Sequence, residues 1–96
     1  MQIPEYVKIG NLRYQVIMVD EDQQPEKIGR SSVRKQKIFI RKDISLDLQA
    51  ETFLHEIVHQ VLDQRSYFEE SGNEKLVDII ATGLIQVLKE NNLLTP

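Results

Sequence analysis

A chain of 96 residues, 41% apolar and 28% charged, has room for one soluble globular domain with a modest core rather than for two. No apolar run approaches the roughly 18 residues of a membrane span, and the lack of cysteine rules out disulfides and thiolate metal sites. The net charge of −3 is unevenly divided: residues 1–43 hold nine Lys/Arg against six Asp/Glu, and residues 44–96 hold three against nine.

The opening segment, MQIPEYVKIG, has neither the basic start nor the apolar stretch of a secretory signal, so a cytoplasmic location is expected. Val7 to Ile9 reads as a strand, followed by a Gly10-Asn11 turn and a second strand from Tyr14 to Val19, rich in β-formers. The polar segment DEDQQPEK contains Pro25 and reads as a loop. Ile28 to Val33 is a weak strand, Arg34-Lys35-Gln36 a hairpin turn, and Lys37 to Ile40 a stronger strand. The cations Arg30, Arg34, Lys35, Lys37, Arg41 and Lys42 crowd this stretch, which makes nucleic-acid binding a reading to weigh. A solvated strand edge is the preferred reading, because the whole chain is acidic and Phe39 is the stretch's single aromatic residue.

The second half reads as helical. Asp47 is placed to cap a helix from Leu48 to Arg65, with Ala50, Phe53, Leu54, Ile57, Val58, Val61 and Leu62 on one broad face. Gln49, Thr52, His55, Glu56, His59, Gln60 and Asp63 share the other face. A break at Ser66 to Gly72 precedes a second helix from Asn73 to Asn91, whose apolar side is Leu76, Ile80, Leu84, Val87 and Leu88. The expected architecture is α+β: a single domain over 1–96, with a strand-rich part (1–43) forming a small antiparallel sheet of three to four strands, packed on a helical hairpin (47–92).

Both histidines of the chain lie in His55-Glu56-Ile57-Val58-His59, of the form HExxH. Residues four apart on a helix stand one turn above each other, so two imidazoles can share one metal ion. Glu56, about 100° around the helix from His55, borders the same site without having to be a ligand, the position of a general base. Without cysteine, the third ligand must be a carboxylate. Glu74 and Asp78 are four apart on the second helix, and one antiparallel register sets Glu74 opposite His59 and Asp78 opposite His55. Glu74 is therefore the preferred ligand, with Asp78, Glu70 and Glu69 as alternatives. Asp78 is suited to accept a hydrogen bond from the non-ligating nitrogen of His55. The competing role for Glu74 is a capping box with Ser71, which the metal reading replaces by a cap at Asn73 or Gly72.

HEIVH at 55–59 and NEKLVD at 73–78 resemble the two-helix signature of gluzincins, the zinc metallopeptidase group that includes thermolysin. The longer stretches TFLHEIVHQVLDQ and NEKLVDIIATGLIQVLKENN are similar to short metallopeptidase-like proteins of phages and mobile elements, loosely of the ImmA/IrrE type. The resemblance covers the C-terminal half well and the strands in outline. It implies a minimal zincin-like domain and a Zn2+ ion held by His55, His59 and Glu74. It also implies Glu56 as catalytic base, Asp78 as orienting group, and a peptide or protein substrate. The group supplies a tyrosine or histidine to the oxyanion; with no third histidine here, Tyr67 or Tyr14 are the candidates, and packing is the competing role for Tyr67. Substrate binding on so small a domain would depend on a partner protein, a homo-oligomer or a very open groove. A binding or regulatory module whose metal is absent or only structural is the rival reading, against which the presence of Glu56 argues.

Overall fold

A computed structural model describes residues 1–94. Four strands, β1 (Tyr6–Ile9), β2 (Leu12–Val19), β3 (Gly29–Ser32) and β4 (Lys37–Arg41), precede three helices, α1 (Leu46–Gln64), α2 (Phe68–Ser71) and α3 (Glu74–Glu90). The fold is α+β, a four-stranded sheet packed against helices. Among the described residues, no helix is long and apolar enough to cross a membrane.

The sheet order is β1-β2-β4-β3, and the sheet is mixed rather than wholly antiparallel. β1 and β2 form a hairpin through Gly10, whose φ of 59° suits a residue without a Cβ, and any side chain there would run into Gln64. β3 and β4 pair antiparallel, but β4 lies between β3 and β2 and runs parallel to β2. The cause is the polar loop after β2: it carries the chain to the far edge before β3 turns back, so β4 enters the gap in the direction of β2. This puts β3, as short as β1 and the least apolar strand, on a free edge.

The loop is held by Arg41, which donates in bidentate fashion to Asp43 (2.8 and 2.7 Å) and reaches the carbonyls of Gln24 and Pro25. The Arg41 hydrogen bond keeps the Asp43 carboxyl below its usual range. Inward-facing Ile9, Tyr14, Val16, Ile38 and Ile40 form the core with Phe53 of α1. Lys8, Arg13, Arg30 and Lys37 alternate with these positions and lie on the sheet face away from α1.

α1 begins two residues earlier than expected. Ser45, not Asp47, is its cap, accepting from Leu48 N at 3.1 Å. Asp47 is freed to bind Lys89 Nζ at 3.0 Å, which ties the start of α1 to the end of α3. α1 lies between the sheet and α3, so no residue from Thr52 to Gln64 is exposed. Its polar Gln49, Thr52, Glu56 and Gln60 are buried, as are Ala50 and Phe53 of the apolar face.

α1 ends with Tyr67 N donating to Leu62 O and Ser66 N to Asp63 O, while Ser66 adopts φ 64°. This is the paired-bond helix stop that normally uses glycine at its left-handed position. The short α2 occupies the expected break, and α3 then runs back along α1, burying Val77, Ala81 and Ile85. The apolar stripe read from the sequence of α3 is not the one that packs: Leu76, Ile80, Leu84 and Val87 are 37–47% exposed, with Leu88 half-buried.

Two outcomes follow from these contacts. Ser66→Gly removes the left-handed penalty and should raise stability by about 1 kcal/mol in urea unfolding. Asp43 contributes stability that is complete above the ordinary aspartate value of about 3.9 and is lost as the pH falls through its depressed value. The difference in melting temperature between the native chain and Asp43→Asn should therefore be constant near neutrality and shrink below about pH 4.

Candidate metal centre

Three side chains from two helices meet at one point. His55 and His59 stand one turn apart on α1 with their rings edge to face, centroids 4.8 Å apart. Their Nε2 atoms are separated by 3.1 Å. Glu74, in the first turn of α3, brings Oε2 to 3.0 Å from His55 Nε2 and Oε1 to 3.1 Å from His59 Nε2. Four ligands set tetrahedrally around zinc at ~2.0–2.1 Å lie ~3.3 Å from one another. Each of these contacts is within a few tenths of an ångström of that spacing, the two histidines meeting different oxygens of the Glu74 carboxylate, and two imidazoles and a carboxylate are donors that zinc accepts.

The far nitrogens explain why the near ones converge. His59 Nδ1 lies 3.1 Å from Ser71 Oγ. With its proton on Nδ1, His59 donates to that hydroxyl and keeps an Nε2 lone pair for a metal. His55 Nδ1 lies 3.7 Å from Asp78 Oδ1, within ion-pair reach but longer than a hydrogen bond. Asn73 caps α3, accepting from Leu76 N at 3.1 Å, so Glu74 is not spent on a capping box and Ser71 is free for His59.

The cluster opens into a pocket of about 670 Å³ lined by β3, the preceding loop, α1 and the start of α3. Glu56 lines the same pocket and is only 6% exposed. A chain of hydrogen bonds running in one direction holds it. Gln64 Nε2 donates to Tyr14 OH (3.0 Å), Tyr14 OH to Gln60 Oε1 (2.7 Å), Gln60 Nε2 to Ser31 Oγ (2.9 Å), and Ser31 Oγ to Glu56 Oε1 (2.6 Å). Burial pushes the Tyr14 phenol up, against the lowering effect of the Gln64 bond, and so preserves its proton as donor. Gly29 leaves room beside Glu56: a Cβ there would collide with Thr52 and stand 3.1 Å from Glu56 Oε2.

The residues expected from sequence thus divide. His55, Glu56, His59, Glu74 and Asp78 line one pocket, whereas Glu69 and Glu70 lie on exposed α2 outside it. Tyr67 is 56% exposed at the start of α2 and does not line the pocket, and Tyr14 is fully buried behind Gln60. Ser31, Gly29, Gln60 and Ser71 were not expected. Gln60 was accessible to helical spacing, since Thr52, Glu56, Gln60 and Gln64 form one i, i+4 row. Ser31 gave no local signal, because its partner is 25 residues away.

No protein family, curated protein or solved structure matches the chain.

Ser71→Ala should weaken any metal binding at the cluster 10–100-fold in a chelator competition by freeing the His59 ring. Tyr67→Phe, away from the cluster, should leave it unchanged.

Proposed function

We propose that the protein is a zinc-dependent peptidase that hydrolyses peptide bonds at the His55–His59–Glu74 cluster. The observation that carries this reading is the convergence of His55, His59 and Glu74, whose side chains approach to 3.0–3.1 Å, in the pocket that also holds the buried carboxylate of Glu56. A purely structural site has no need of a base beside it. The resemblance of HEIVH and NEKLVD to the gluzincin signature supports the same reading.

A bound zinc ion would supply Lewis acidity, making water a better proton donor and a peptide carbonyl a better electrophile. Glu56 takes the proton from the attacking water and passes it to the leaving amine. Ser31 fixes one of its oxygens, so the other is free to face the reacting groups. Neither tyrosine considered from sequence lies where it would reach an oxyanion, so no residue is assigned that task.

β3 supports peptide binding. Arg41 N donates to Ile28 O, so Ile28 and, two residues on, Arg30 turn their backbone groups toward β4. Gly29 and Ser31 then direct theirs to the free edge, where an extended peptide can add as a further strand. Glu26, Glu51, Asp63 and Asp78 also line the pocket, with Lys27 as an opposing cation and the Arg30 guanidinium turned over Phe39, which favours basic peptide segments. A cytoplasmic setting suits a chain without cysteine.

The test is metal content and cleavage of a panel of protein substrates. Glu56→Gln should keep zinc and lose at least 100-fold in turnover, following the usual scale of general-base loss. Glu74→Ala should lose zinc itself. A native chain that takes up no zinc at neutral pH sinks the proposal; one that binds zinc and cleaves nothing supports a binding module instead.

A further inference from the structure

α3 carries two apolar faces, and only one is used inside the domain. Val77, Ala81 and Ile85 pack against α1. About 120° around the helix, Leu76, Ile80 and Val87 are 37%, 37% and 45% exposed, with Ile79 (58%) and Leu84 (47%) flanking them. A stripe of large apolar side chains along one helix face is the surface that proteins cover.

The spacing of this stripe identifies its cover. Leu76, Ile80, Gly83 and Val87 follow one another at intervals of four, three and four, the seam of a two-helix coiled coil. Laid antiparallel on itself, the seam is self-complementary. Leu76 meets Val87 of the second copy, and Ile80 meets Gly83. A Cβ at Gly83 would touch nothing within 4 Å, so there is open space above that backbone to receive the Ile80 side chain. The same register brings Glu90 to the start of the opposing α3, beside Asn73 and Lys75, where both the helix dipole and a cation favour its charge. A parallel pair would instead put Gly83 against Gly83, leaving a void, and Glu90 against Glu90. Volume and charge select the antiparallel arrangement, whose twofold symmetry closes the assembly at two chains.

We propose that the protein forms an antiparallel homodimer through the outer face of α3. The metal cluster is on the other side of the same helix and stays open to solvent. This inference does not depend on the peptidase reading.

Sedimentation equilibrium over low micromolar to near-millimolar concentrations should show the mass rising from 11.2 kDa toward twice that value. Ile80→Glu should remain monomeric throughout while binding zinc as the native chain does. The absence of cysteine permits a register test under mild oxidation. Leu76→Cys mixed with Val87→Cys should give the mixed disulfide, and Leu76→Cys alone should give little. A native chain that stays monomeric, an Ile80→Glu dimer, or efficient self-linking of Leu76→Cys would each overturn the proposal. If Ile80→Glu fails to fold, the disulfide pattern alone decides.

Discussion

His55, His59 and Glu74 can meet within hydrogen-bond distance only if α1 and α3 are held in one longitudinal register, since a shift of one turn would move Glu74 by about 5.4 Å away from the histidines. Everything in the helical half serves that constraint. Ser66 stops α1 in a strained conformation that glycine would adopt more readily. Asp47 and Lys89 clasp the open end of the hairpin, and Val77, Ala81 and Ile85 keep the helices close in between. α2 adds Ser71, which meets His59 from the turn side. The short connection is thus both a spacer and a source of a polar contact.

The sheet half answers a different need. α1 buries a polar row as well as an apolar one, and burial of polar groups is tolerated only when each has a partner. Among the described residues, no buried side-chain nitrogen or oxygen lacks one. Tyr14 from the core strand and Ser31 from the edge strand complete the row through Gln60, ending on Glu56. The network fixes the distance between β3 and α1 and thereby the width of the pocket.

The candidate site was more legible in the sequence than the fold around it. His55, Glu56 and His59 are bound by helical spacing alone, and Glu74 follows from antiparallel pairing of two helices across a short break; these are local or nearly local rules. The parallel pairing of β2 and β4 was not legible, because strand order depends on where a polar loop deposits the chain, and that is decided by Arg41 reaching across to Asp43 and the loop carbonyls. The packing face of α3 was misjudged for a related reason. Its periodicity offers a wide apolar arc, and the part that turns inward, Val77, Ala81 and Ile85, is the part that also brings Glu74 to the histidines. The broader stripe of Leu76, Ile80, Leu84 and Val87 lies outside.

Ser31 belongs to two surfaces at once. Its hydroxyl points inward and is committed to Glu56, while its backbone points to the free edge. Gly29, the other inward position of β3, has no side chain, and a new one would collide with α1. Arg30 and Ser32 project from the opposite face of the sheet. On the proposed function, the strand would grip an extended chain by its backbone, with no side chain free to read it. Discrimination among sequences would then arise on the opposing rim, from the loop before β3 and the exposed starts of α1 and α3. Those segments can change without disturbing Glu56, so adhesion and selection would be physically separated in this small domain.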